Sequence, residues 1–260
     1  MLEFSEWIWI FLLFAAFIAG TVDAVAGGGG LIQVPALFAA YPEAHPANLL
    51  AINKVSGVGG TLNAARRYLH HVDLPWKIVA PAIVAGFFGS LLGAGALSHI
   101  PDGPIRKALP FVLLALLIYT WFQPNLGLEH RESNALNRNE RAKAILLGAG
   151  LGFYDGIFGP GTGSFFLFIF VRVFHFDFLH ASAATKLVNA ATNVASVLLF
   201  AGLGLVRWEL GLAMMVANIA GSQLGSRLAI KRGSAFVKKA FLLVVSCLII
   251  KSAYDAFFNI

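Results

Sequence analysis

Apolar residues fill most of this chain in long stretches separated by short polar gaps, and the stretches fall into two matching sets. In the first half they occupy residues 7–22, 31–41, 47–65, 76–97 and 105–122. After a polar linker at 123–143 they recur at about 144–154, 164–174, 181–203, 208–230 and 235–258. A helix needs about 20 apolar residues to cross the hydrocarbon core, and the last three stretches of each half approach or reach that length. The first two of each half are short and split by glycines, which reads as a re-entrant hairpin folded at the glycines or as two thin spans. The pattern predicts an all-α, polytopic membrane protein built as one transmembrane domain over residues 1–260. Its repeats cover about 7–122 and 144–258, each a glycine-broken helical hairpin plus three transmembrane helices.

Uncommon residues carry the case for duplication. At a fixed offset of 132 residues, Asp23 falls on Asp155, Gly27 on Gly159, Gly29 on Gly161, Lys54 on Lys186 and Trp76 on Trp208. Gly89, Ser90 and Gly93 fall on Gly221, Ser222 and Gly225 at the same offset. Ionisable residues and tryptophans are rare in such a chain, so their coincidence points to one half being a structural copy of the other.

Basic residues then orient the copies, because they accumulate in cytoplasmic loops. In the first half the gap between the third and fourth stretches is basic, with Arg66, Arg67 and Lys77, whereas its second-half counterpart holds Arg207 beside Glu209. The next gap reverses this, with Arg227, Lys231, Arg232, Lys238 and Lys239 in the second half against Arg106 and Lys107 in the first. Placing the basic-rich gaps and the linker in the cytoplasm requires an odd number of crossings per repeat, so the second copy is expected upside down. The first two stretches must then contribute an even number of crossings. Both termini fall outside, which suits the acidic start at Glu3 and Glu6. That start has no positive region, so the first apolar stretch is expected to remain in the mature protein.

Composition sharpens this picture. The chain has 58% hydrophobic and 12% charged residues, against about 25% charged in soluble domains, and its mean hydropathy of +0.76 excludes a disordered chain. The net charge of +6 lies in loops rather than on a soluble basic stripe, which argues against a nucleic-acid partner. Cys247 is the only cysteine, so no internal disulfide exists. His70, His71 and Asp73 lack metal-ligand spacing and read as loop residues. No metal site, cofactor or catalytic triad is expected. Oligomeric state is not legible.

Two constellations carry chemistry. Asp23 precedes Gly27, Gly28, Gly29 and Gly30, and Asp155 precedes Gly159, Pro160, Gly161, Thr162 and Gly163. Irregular backbone at membrane depth survives only where protein or a cavity surrounds it. Transporters use such breaks to aim the positive ends of half-helices at an anion. The alternative is that the glycines merely permit a tight hairpin and close packing. Lys54 and Lys186 each lie near the middle of an apolar stretch. A lysine there costs about 2.5–3.5 kcal/mol and marks function by default. On the helix of Lys186, Thr185, Asn189, Thr192, Asn193 and Ser196 share one face, and Asn53, Gly57, Gly60, Thr61 and Ala64 are the first-half equivalents. That face reads either as the wall of an anion site or as polar glue between helices. Structural ion pairs of Lys54 with Asp23, and of Lys186 with Asp155, are the alternative reading of the lysines, and either aspartate is a candidate proton carrier.

At these residues the chain resembles the TauE/SafE family of sulfite and organosulfonate exporters. The similarity is most specific from Gly20 to Gly30 followed by Asn53 and Lys54, and from Gly152 to Gly163 followed by Thr185 and Lys186. The resemblance implies a multi-pass secondary transporter of the bacterial inner membrane that exports small sulfur-containing anions such as sulfite or sulfoacetate, with no enzymatic activity. It also makes Gly28, Gly29, Gly30, Asn53, Lys54, Gly161, Thr162, Gly163, Thr185, Lys186 and Asn189 the expected substrate contacts. Gln33 and Pro35 stand where the second half has Phe165 and Leu167, so the two half-sites are not chemically equal. A passive anion channel of the same architecture, or a membrane-embedded enzyme, are the competing readings.

Overall fold

The computed structural model describes residues 6–97 and 138–257, leaving aside the side chains of Arg138, Val244, Val245 and residues 247–257. The apolar stretch at 105–122, Arg106, Lys107, most of the linker and the Cys247 side chain lie outside the described residues. Among the described residues the fold is all-helical: α1 (Glu6–Ala26), α2 (Gly30–Ala40), α3 (Pro46–Leu69), α4 (Trp76–Ala96), α5 (Arg138–Ile157), α6 (Thr162–Val173), α7 (Phe178–Gly202) and α8 (Trp208–Phe257). Helix α8 is broken at Gly233, whose φ of 71° lies in the left-handed region. Helix α5 starts at Arg138, inside the stretch expected to be linker, because the polar residues before Ala144 extend the helix beyond its apolar part.

Three of these helices, α1, α4 and α7, are long and apolar enough to cross a membrane. Their exposed side chains include Trp7, Phe14, Phe88, Leu92 and Leu198, the residues a lipid-facing surface needs. Trp76 and Trp208 are exposed at the first residues of α4 and α8, where amphipathic rings suit the membrane interface. The opening hairpin of each half is lopsided rather than made of two short arms. Helices α1 and α5 have 21 and 20 residues, but α2 and α6 have only 11 and 12. At a rise of 1.5 Å per residue the short arms reach about half of a ~30 Å hydrocarbon core. Ile8 of α1, Tyr41 after α2 and Asn48 of α3 line one open pocket, so the first hairpin enters and leaves at the same end of the bundle.

Packing between the halves is reciprocal. Helix α1 lies along α8, and α5 lies along α4. A Cβ at Gly221 or Gly225 of α8 would overlap the carbonyls of Phe17 or Thr21, and one at Gly89 or Gly93 of α4 would overlap those of Ala149 or Phe153. These contacts repeat at the 132-residue offset, so the glycine seams join one half to the other, backbone against backbone. The Thr21 hydroxyl adds a bond to the Gly221 carbonyl at 3.1 Å. Helices α3 and α7 pack against each other inside this frame and bring both lysines to the centre.

Where a helix must begin abruptly, side chains cap it. The Asp177 carboxylate accepts the backbone N–H groups of Leu179 and His180 at 2.7 and 2.9 Å, and the Ser234 hydroxyl donates to it at 3.0 Å. It thereby ties the start of α7 to the break in α8. Replacing Asp177 by alanine is expected to destabilise the protein by about 1–2 kcal/mol, whereas Asp177→Asn, which keeps a capping oxygen, loses less. Apparent melting temperatures of the two variants check this order.

Candidate functional site

Both glycine breaks bend the chain at the same step. Gly27 and Gly159 have φ values of 70° and 80°, a conformation that side chains resist. The bends end α1 and α5 and turn the chain back into α2 and α6. They also touch: the Ser164 hydroxyl donates to the Gly27 carbonyl at 3.0 Å, and the Gly27 Cα faces the Gly163 backbone. The break of one half is therefore seated on the break of the other.

Against this junction lie the two lysines, 1% and 0% exposed. Lys54 Nζ pairs with Asp155 Oδ2 at 2.7 Å, and Lys186 Nζ pairs with Asp23 Oδ2 at 2.8 Å. Each pair crosses from one half to the other, which corrects the reading that pairs Lys54 with Asp23 and Lys186 with Asp155. The reason is the seating of the breaks: each aspartate, carried at the end of its long helix, is delivered to the lysine helix of the opposite half. Burial of either ion alone would be costly, so each pair neutralises its partner.

The two carboxylates differ in a way the offset explains. Asp23 Oδ1 also accepts the backbone N–H groups of Gly28 and Gly29, both at 3.3 Å, so it occupies the N-terminal turn of α2. Gly28 corresponds to Pro160, which has no N–H to give. Thus α2 already holds an anionic group of its own chain, while the first turn of α6 is arranged differently. The N-cap of α6, Gly161, has a φ of 87°, whereas that of α2, Gly29, has a φ of −55°.

A cavity of about 50 Å3 opens where these parts meet, room for only a few water-sized groups. Of the residues expected to bind substrate, Gly28, Gly29, Gly30, Asn53, Lys54, Gly161, Gly163 and Asn189 line it, together with Asp23 and Asp155. Three others do not. The Thr162 hydroxyl donates to the Gly159 carbonyl at 2.9 Å, Lys186 stands behind Asp23, and Thr185 is buried without reaching the cavity wall. Gly57, Thr61 and Asn193 come from the polar faces of α3 and α7. Gln33 and Asn218 also line the cavity and were not among the expected contacts. Gln33 was visible only as a departure from symmetry. Asn218 corresponds to Gly86, so comparing the halves hides it, although a lone amide in the apolar run around it was a signal.

The site thus combines two broken helices, buried paired charges and several side-chain amides. The family model of the sulfite exporter TauE/SafE matches residues 12–252, which spans both halves. The chain belongs to the TauE/SafE family. Among its relatives, the probable membrane transporter protein ORF9 of Sinorhizobium sp is 37% identical over 246 residues, covering 94% of this chain and 92% of that one. The probable membrane transporter protein YfcA of Escherichia coli strain K12 is 34% identical over 245 residues, covering 94% and 89%. A probable membrane transporter protein of Haemophilus influenzae is 34% identical over 244 residues, covering 94% of each. No solved structure matches the chain. As a TauE/SafE protein it is a multi-pass membrane transporter.

Proposed function

We propose that this TauE/SafE protein exports small sulfur-containing anions, such as sulfite, sulfoacetate or other organosulfonates, across a bacterial inner membrane by alternating access around the central cavity. The observation that carries the reading is the position of Lys54, a buried ammonium on the wall of a cavity of about 50 Å3, ringed by the amides of Asn53, Asn189 and Asn193. A compact oxyanion head matches that size and that set of donors. Two inverted repeats account for contacts that recur at one offset while the basic gaps change sides. The small central space, walled by paired charges, favours a carrier over a passive channel, which conducts through a continuous opening.

Charge balance points to proton coupling. Lys54 and Lys186 match Asp23 and Asp155 one for one, so an arriving monoanion adds a buried charge with no partner. A proton on Asp155, the partner of Lys54, removes that excess and releases Lys54 to the substrate. The test is a stability screen of the purified protein with sulfite, sulfate, taurine, sulfoacetate and acetate, because a bound ligand raises apparent stability by mass action. Sulfite or a sulfonate is expected to raise the apparent melting temperature, and proteoliposomes loaded with that anion should show saturable counterflow that a pH gradient accelerates. Conductance at channel rates would exclude the carrier, and no shift with any anion would remove the proposed cargo class.

A further inference from the structure

We propose that Gln33 is a substrate-binding residue whose side-chain amide presents a fixed N–H donor to an oxygen of the anion in the central cavity. The inference rests on the anion-carrier reading and adds a contact outside the glycine and lysine motifs. Gln33 sits on α2, is 1% exposed and lines the cavity. Which atom of its amide is left for a ligand follows from its neighbours. The backbone carbonyl of Ala16 can only accept, so the Asn218 group facing it at 3.2 Å is the Nδ2 donor. That same Nδ2 donates to Gln33 at 3.1 Å, which requires the Gln33 oxygen, Oε1, to be the atom turned toward Asn218. The Ser56 hydroxyl donates to Oε1 as well, at 3.2 Å. With its oxygen held by two donors, Gln33 must point Nε2 the other way, and this buried nitrogen meets no partner among the described residues.

A buried amide N–H without an acceptor is unfavourable, and here two neighbours actively enforce that arrangement. The arrangement is sensible if a ligand supplies the acceptor. Gln33 and Lys54 line the same cavity, so a single anion with at least two oxygens satisfies both the neutral and the charged donor. The device belongs to one half only. Gln33, Ser56 and Asn218 correspond to Phe165, Val188 and Gly86, none of which offers a side-chain donor or acceptor. The anion is therefore bound off the axis relating the halves, on the α2 side of the cavity.

Full-length Gln33→Met, which keeps the length of the side chain and removes the donor, tests this with sulfite and sulfoacetate as calorimetric probes. The dissociation constant of each probe bound by the wild type is expected to rise about tenfold to a hundredfold, with a modest fall in the melting temperature of the anion-free protein, because the Ser56 hydroxyl loses its acceptor while Asn218 Nδ2 keeps the Ala16 carbonyl. Ser56→Ala, which leaves Asn218 holding Oε1, should weaken binding by less than Gln33→Met does. If Gln33→Met does not fold, Gln33→Glu serves: it retains the oxygen that Asn218 and Ser56 hold and replaces the donor by a second, negatively charged oxygen, so probe binding should be lost. Wild-type affinity in Gln33→Met, or in Gln33→Glu, would overturn the assignment and leave Nε2 with a water as its partner. If Lys54→Ala then still abolished binding, the carrier reading would stand without Gln33. A wild-type protein that bound neither probe would remove both.

Discussion

Lys54→Ala is expected to destabilise the protein by about 3–5 kcal/mol, and adding Asp155→Ala should recover most of that loss, whereas adding Asp23→Ala should deepen it. The first substitution leaves the Asp155 carboxylate buried opposite a methyl group, with its 2.7 Å partner gone. Removing Asp155 too takes away the stranded charge and leaves two small apolar side chains in its place. Removing Asp23 instead strands a second ion, Lys186, which is fully buried and pairs with Asp23 at 2.8 Å. In apparent melting temperature the order should run wild type, Lys54→Ala with Asp155→Ala, Lys54→Ala alone, and Lys54→Ala with Asp23→Ala. All three variants should lose binding of sulfite or sulfoacetate at least about a hundredfold, because a charged hydrogen bond to the anion goes with the ammonium. Rescue by Asp23→Ala rather than Asp155→Ala would mean that the ion pairs form within halves.

That the pairs cross was hidden in the sequence for a physical reason. The offset identifies Asp23, Lys54, Asp155 and Lys186 as equivalent positions, and burial energetics says each needs a counter-ion. Neither says which aspartate reaches which lysine, because that depends on how α1 and α5 lie across the opposite half. The glycines at 221 and 225, and at 89 and 93, were legible as packing seams, but their partners on α1 and α5 were not. Helix lengths show a similar limit. Asp23 and the residues around it are helical up to Ala26, so α1 continues past the apolar stretch that marks it and becomes a full-length arm. Polar residues extend a helix without leaving a hydropathy signal when their side chains are satisfied by another segment, as Asp23 is by Lys186. Duplication reveals what the halves share, and so Gln33, Ser56 and Asn218, which they do not share, needed coordinates to become a site.

Gly27→Ala should be severely damaging, with the yield of monodisperse protein from detergent falling severalfold or more. Two effects add. Alanine resists the left-handed conformation that Gly27 adopts with a φ of 70°, at about 1–2 kcal/mol. The new Cβ would also overlap the Gly163 carbonyl carbon and stand 2.6 Å from the Ser164 nitrogen, neither of which can move without opening the contact between the two breaks. Opening it breaks the Ser164 bond to the Gly27 carbonyl and pulls Asp23 from Lys186. Two neighbouring tests separate this from a general intolerance of glycine substitution. At Gly150 on α5, an added Cβ meets nothing within 4 Å, so Gly150→Ala should fold and transport as wild type does. At Gly30, in the first turn of α2, the nearest atom to an added Cβ is the Pro160 Cα at 3.4 Å, an ordinary contact, so Gly30→Ala should fold. Yet Gly30 lines the central cavity, and a methyl group occupies a large share of a space of about 50 Å3. Gly30→Ala should therefore keep the wild-type yield while losing affinity for the anion. If it transports normally, the anion does not pass through the space between α2 and the α6 turn. If Gly27→Ala folds as well as Gly150→Ala does, the two breaks are not seated on each other in the membrane.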